Sequence, residues 1–171
     1  MFKAVIKKYR LHRNAVDYWK SRGAHIGEGC EIYTTASLGS EPYLITIGNN
    51  VRINEGVILD THDGGVWVLR NLDSELYDID LFGSITIGNN VHIGHNSIIM
   101  PGVSIGDNVI IGCNAIVTSS IPSNSVAVGV PARVIETIDE YKEKHIHDFV
   151  HTAKMDPKTK EAYLKNEWIK K

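Results

Sequence analysis

The 171-residue sequence predicts an all-β solenoid: short strands wound in stacked coils, with one long inserted loop and flanking N- and C-terminal helices. Three observations carry this. The heptapeptide ITIGNNV occurs twice, at Ile45–Val51 and Ile85–Val91, the copies starting 40 residues apart. From Ile87 an aliphatic residue recurs at every sixth position, at Ile93, Ile99, Ile105, Ile111 and Val117, without a break. Two earlier blocks, Ile26–Ile32–Leu38 and Ile47–Ile53–Leu59, keep the same period. A period of six is neither the 3.6 of an amphipathic helix nor the two of a hairpin strand.

Each six-residue unit reads as a short strand followed by a tight corner. The aliphatic residue at position one points inward and stacks on its equivalent one coil further on. Position five also faces inward, near a corner, and is small or β-branched: Cys30, Ala36, Val51, Val57, Val91, Ser97, Val103, Val109, Ala115 and Ile121. Gly, Asn and Asp at positions two to four tolerate the positive φ that corners need. No unit buries its apolar side alone, so stacking is compulsory. Three units per coil make a triangular prism of about 18 residues per turn.

In chain order, residues 1–22 read as an N-terminal helical segment. Phe2, Val5, Ile6, Tyr9 and Val16 share one face, and seven Lys/Arg stand against the single acid Asp17. The apolar stripe suits packing on the end of the prism. The basic residues suit solvent or a weak peripheral contact with anionic lipid. The solenoid occupies 23–134. Three extra residues in GSEPYL separate Leu38 from Ile47, and 22 extra residues separate Leu59 from Ile87. That longer insertion, about 61–84, reads THDGGVWVLRNLDSELYDIDLFGS, and a loop of this length in a tight repeat signals function. Residues 135–171 read as a C-terminal helical extension that caps the prism or braces a neighbour. Asp156–Pro157 reads as a helix start, and Leu164 and Trp168 share a face.

The stretch MPGVSIGDNVIIGCNAIVTSSIPSNSVAVGVPARVI resembles the C-terminal block of the galactoside, maltose and xenobiotic acetyltransferases. GSEPYLITIGNNV and THDGG are more similar to the branch that acetylates bacterial surface polysaccharides. Over about residues 24–137 the chain thus resembles the hexapeptide-repeat acetyltransferase family. The resemblance implies a left-handed parallel β-helix, acetyl-CoA as co-substrate without a metal, and a saccharide acceptor. It also implies a homotrimer with active sites between neighbouring prisms.

His62, at the root of the insertion, matches the family's catalytic histidine. A sugar hydroxyl is a poor nucleophile at neutral pH, and imidazole is a base suited to that pH. Glu41, Asp60 and Asp63 are candidates to orient the imidazole or hold sugar hydroxyls, although exposed acids are common. Trp67 is a candidate to stack on a sugar ring or to pin the loop against a neighbouring subunit. For coenzyme A, the resemblance points to His95, Cys113, Thr118 and Arg133, the last beside the nucleotide phosphates. Ser119 stands where many relatives carry a phosphate-binding lysine, so one charge is lost there. His92 takes the place of a frequent tryptophan.

Composition narrows the alternatives. A net charge of −2 gives no global attraction to nucleic acid. No apolar run reaches the ~18 residues of a membrane span, and the N-terminus lacks a secretory signal pattern, which predicts a cytoplasmic protein, at most resting on the inner face of the membrane. The two cysteines, Cys30 and Cys113, have neither disulfide nor zinc spacing. A γ-class carbonic anhydrase would need coil histidines at ligand spacing, and His92 and His95 lie only three apart. A non-catalytic trimeric scaffold would have no use for His62. N-acetylation of a nucleotide-linked amino sugar is the alternative chemistry within the family.

Overall fold

The computed structural model describes residues 14–169. The stripe Phe2, Val5, Ile6 and Tyr9, and the basic residues before Asn14, lie outside them. The described chain opens with a helix, Ala15–Lys20, whose cap Asn14 accepts a hydrogen bond from the Asp17 N–H. Tyr18 and Trp19 are buried edge-to-face with ring centroids 4.9 Å apart, and Val16 packs against the core.

The strands then visit three parallel sheets in rotation. The first face holds His25–Ile26, Ile45–Ile47, Ile85–Ile87 and Ser104–Ile105. The second holds Glu31–Ile32, Arg52–Ile53, Val91–Ile93, Val109–Ile111 and Ser125–Gly129. The third holds Ile58–Leu59, Ile98–Ile99 and Ile116–Val117. The register matches the six-residue frame. Ile26, Ile47, Ile87 and Ile105 stack on the first face, Ile32, Ile53, Ile93 and Ile111 on the second, and Leu59, Ile99 and Val117 on the third. None of these side chains is more than 8% exposed. Each such burial stabilises by roughly 1.5–3 kcal/mol against an exposed reference. Ser97 is the polar exception at position five; it is fully buried, and its Oγ donates to the Gly112 carbonyl at 2.8 Å.

One recurring hydrogen bond measures each coil. The N–H of Glu28 reaches the side chain of Asn49, that of Asn49 reaches Asn89, that of Asn89 reaches Asp107, and that of Asp107 reaches Ser123. The separations are 21, 40, 18 and 16 residues. The regular coil is the 18-residue one. The first is longer by the three residues that form the turn Pro42–Leu44, and the second carries the insertion. The last coil is two residues short, which corrects one reading of the repeat. Ile121 bridges Ile105 on the first face, so it occupies position one of the next unit rather than position five. Asn124, three residues on, accordingly takes the positive φ of a position-four residue.

That positive φ recurs at position four, at Asn50, Asn90, Asn96, Asn108 and Asn114, and at Gly29, Gly56 and Gly102; within the repeats Gly39, at position two before the three-residue bulge, also adopts it. The other glycines at position two serve close approach instead. A Cβ on Gly48 would lie 2.7 Å from the Gly88 carbonyl oxygen of the next coil. Backbone on both sides cannot give way cheaply. Gly48→Ala is therefore expected to destabilise the fold by about 1–3 kcal/mol, the usual cost of overpacking. Urea denaturation checks this, and an unchanged midpoint would contradict the close coil spacing.

After Gly129 the chain reverses, and Ala132–Thr137 pairs antiparallel with Ser125–Gly129. Residues 135–137 thus belong to a strand, not to the helical extension expected from residue 135; Val134 and Ile135 are β-branched and suit a strand. The helix begins at Ile138 and runs to His145. A reciprocal cap sets its start: the Thr137 N–H donates to Glu140 Oε2 at 2.7 Å, and the Glu140 N–H to Thr137 Oγ1 at 3.2 Å. The described residues fall into two units divided after Tyr141. The second contains the helix Pro157–Trp168, and the Asp156 side chain accepts from the N–H groups of Lys158 and Thr159.

The insertion is an ordered excursion. It contains the helix Val66–Leu72 and the short turn Ser74–Leu76. Its two ends are zipped together. Phe82 forms an antiparallel bridge to His62, the Gly83 N–H donates to the Thr61 carbonyl at 2.9 Å, and the Asp63 N–H donates to the Leu81 carbonyl at 2.9 Å.

Candidate active site

His62 stands three residues beyond the third-face strand Ile58–Leu59. Asp60 still donates its N–H to the Ile99 carbonyl at 2.9 Å, and Thr61 is fully buried. The rigid coil therefore fixes the backbone under His62, while its side chain keeps 44% exposure. Glu41 arrives from the other insertion, the three-residue bulge. Its Oε2 lies 3.1 Å from His62 Nδ1. A carboxylate only accepts, so in the neutral imidazole Nδ1 carries the proton and Nε2 keeps its lone pair. Partial burial pulls the Glu41 carboxyl upward. Hydrogen bonds from Ser40, Thr61 and His62, with the positive charge His62 carries when protonated, outweigh this and hold it below the ordinary glutamate range. Asp60 Oδ1 is further off, 3.8 Å from Nδ1. The Phe82 ring stands edge-on to the imidazole, centroids 6.3 Å apart.

Beside His62 the insertion forms a cavity of about 220 Å³, lined by Asp63, Trp67, Arg70, Asp80 and Leu81 among others. Asp63 does not approach the imidazole Nδ1; its Oδ1 accepts the Gly65 N–H at 2.7 Å and shapes the start of the loop helix. Trp67 is 69% exposed on that helix and is one of the residues lining the cavity. Arg70 is committed within the loop, to the Ile79 carbonyl and the Asp80 carboxylate.

The cofactor candidates are spread over more than one edge of the stacked sheets. His95 and Cys113 are stacked at the corner between the second and third faces, where the Asn114 N–H donates to the His95 carbonyl at 2.8 Å. His95 Nδ1 lies 3.8 Å from Glu55 Oε2, and Cys113 is exposed. Thr118 and Ser119 are exposed just after the third-face strand Ile116–Val117. They share the edge of His62, two rungs along, roughly 10 Å at a strand spacing of ~4.8 Å. Arg133 is exposed on the antiparallel strand, with Nη1 donating to the Ala132 carbonyl at 2.8 Å. His92 sits on the second face in register with Arg52 and Ile110, in a cavity of about 230 Å³ with Asn50, Asn90 and Asn108. Burial first, then the charges of Arg52 and His95, keep its imidazole below the ordinary histidine range, hence uncharged at neutral pH.

Residues 84–119 match the family model described as bacterial transferase hexapeptide (six repeats). Protein CapG of Staphylococcus aureus is 45% identical over 97% of this chain and 96% of its own length. A maltose O-acetyltransferase structure from Clostridium difficile 630 superposes with a TM-score of 0.54 at 30% identity, covering 71% of this chain and 73% of that one. The chain belongs to the hexapeptide-repeat acetyltransferase family. A galactoside acetyltransferase solved in complex with coenzyme A is also similar to this acetyltransferase, with a TM-score of 0.57 at 28% identity over 83% of this chain and 82% of its own. Two features of the candidate site escape the sequence reading. The hydroxyls of Ser40 and Thr61 both bond Glu41, and nothing but adjacency to Glu41 and His62 hinted at either. Phe82 lies 20 residues beyond His62, and only the zipped loop ends reveal it as a neighbour.

Proposed function

We propose that this acetyltransferase moves the acetyl group of acetyl-CoA directly onto a hydroxyl of a saccharide, a surface polysaccharide or its precursor, with His62 as general base. One observation carries the reading: Glu41 holds Nδ1 of His62, which leaves Nε2 as the acceptor of a proton. In the proposed step Nε2 takes the hydroxyl proton as the oxygen attacks the thioester carbonyl. The tetrahedral intermediate then collapses, the C–S bond breaks, and the imidazolium returns its proton to the departing thiolate. Backbone N–H groups at the site would bind the oxyanion. Trp67 offers an aromatic face for a sugar ring, with Asp60 and Asp63 as acceptors for its hydroxyls.

His95, Cys113, Thr118, Ser119 and Arg133 are the proposed coenzyme A contacts. Arg133 supplies the cation for the nucleotide phosphates, and the Ser119 hydroxyl supplies a neutral hydrogen bond where a lysine would add charge. His95 and Cys113 lie on a different edge from Thr118, Ser119 and the loop cavity, so a single copy does not gather all of them around His62; this fits a homotrimer whose sites form between neighbouring prisms. The left-handed sense of the coil belongs to the same reading.

Free-thiol release from acetyl-CoA across a panel of saccharides and amino sugars tests the proposal. Thiol release and an O-acetyl product are expected with neutral saccharides. An N-acetyl product made only from amino sugars would transfer the reading to amine acetylation, and release without any acceptor would contradict it. Sedimentation of an active monomer would contradict the trimer.

A further inference from the structure

The Glu41–His62 pair rests on a hydroxyl that the repeat pattern conceals. Three donors converge on a single oxygen, Glu41 Oε2: Ser40 Oγ at 3.0 Å, Thr61 Oγ1 at 3.1 Å and His62 Nδ1 at 3.1 Å. They differ in rigidity. Ser40 is exposed, so its hydroxyl can turn to water. Thr61 is fully buried and β-branched, hence stiff at χ1. Its carbonyl is pinned by the Gly83 N–H at 2.9 Å, on the closing rung of the insertion. Nothing about packing asks for a hydroxyl there, because valine has nearly the same shape. A buried hydroxyl with no partner would cost free energy, and the Glu41 carboxylate is the side-chain partner Thr61 has.

Glutamate is the flexible member of the pair. It has three rotatable torsions, keeps 18% exposure, and sits on a three-residue bulge rather than on a strand. Left untethered, its carboxylate would swing toward water and release the imidazole to either tautomer. We propose that Thr61 is a positioning residue for acetyl transfer: its buried hydroxyl anchors Glu41 Oε2, and the anchored carboxylate holds His62 as the Nδ1–H tautomer with Nε2 free. This rests on the reading of His62 as the base. It also gives the zipped insertion a role in the chemistry, since the rung that closes the loop fixes the residue that fixes the carboxylate.

The test combines kinetics with nitrogen-15 NMR of His62. In the unmodified protein, the neutral imidazole should show a protonated Nδ1 and an unprotonated Nε2. Thr61→Val should lower kcat by about five- to tenfold, the scale of one net hydrogen bond, with the KM for acetyl-CoA unchanged. Its spectrum should shift toward mixed tautomers, its melting temperature should stay near that of the unmodified protein, and Thr61→Ser should restore both kcat and the spectrum. Wild-type kcat in Thr61→Val, or a serine variant as slow as the valine variant, would overturn the proposal. So would a predominant Nε2–H tautomer in the unmodified protein, a result that stands even if Thr61→Val does not fold. His62→Ala separates the two levels. An active His62→Ala protein defeats the reading of the base, whereas an inactive one beside a fully active Thr61→Val defeats only the role of Thr61.

Discussion

His62→Ala is expected to reduce kcat by about 10²–10⁴-fold, the range that a positioned general base contributes. At ~1.36 kcal/mol per factor of ten, this corresponds to roughly 3–5 kcal/mol of barrier. The fold should survive. The His62 side chain is 44% exposed and is not part of the buried cluster, so truncation opens no core cavity. The substitution leaves Glu41 with its Ser40 and Thr61 donors, which keeps the carboxylate hydrogen-bonded. KM for acetyl-CoA should therefore change little, and the loss should appear in kcat. Steady-state kinetics at saturating donor, with a melting curve on the same sample, check both halves. A folded His62→Ala protein of near-normal turnover would remove His62 from the chemistry and leave the Glu41 contact as a loop brace. Glu41→Gln is a useful companion. The amide can accept from Nδ1 through its oxygen or turn and donate through its nitrogen, so a loss smaller than that of His62→Ala is expected.

The repeat was legible because its cause is simple. A six-residue spacing of Ile, Leu and Val reports which side chains stack, and those side chains line the three faces in register. The 40-residue separation of the duplicated heptapeptide likewise measured the insertion that carries His62. Where the reading slipped, a local term outweighed the period. Val117 and Ile121 are four apart, and only the bridge to Ile105 shows that the coil contracts there. Position-two glycines look like turn residues, yet their reason is the backbone of the next coil, a contact invisible in one dimension. The site divided in the same way. His62 stood out because it opens a long insertion. Glu41 was one of three acids with similar claims, and choosing among them needed the distances of 3.1 Å for Glu41 and 3.8 Å for Asp60. Thr61 could not stand out, because its polarity matters only through burial beside a carboxylate from another coil.

Ile93→Ala is expected to cost about 2–5 kcal/mol of stability, the range for truncating a fully buried aliphatic side chain. Ile93 is 0% exposed and lies between Ile53 and Ile111, each also 0% exposed, in the middle of the second-face ladder. Those neighbours sit on closed hydrogen-bonded rungs and cannot slide in to fill the space, so the cavity term should persist. Ile93→Val removes one methylene and should cost about 0.5–1.5 kcal/mol. The stacking argument makes a sharper claim at the end of the coil. Ile26 pairs with Ile47 on one side only and is 8% exposed, so Ile26→Ala should cost less than Ile93→Ala. Urea denaturation of the three variants at one protein concentration checks the order. Equal losses at Ile26 and Ile93 would show that the coils do not depend on their neighbours in this way. Ile93 lies on the second face, whereas His62 leaves the edge of the third. The folded fraction of Ile93→Ala should accordingly turn over at close to the normal rate. A variant that loses stability and keeps kcat, set against one that loses kcat and keeps stability, would show that the repeat builds the scaffold and the interruption performs the transfer.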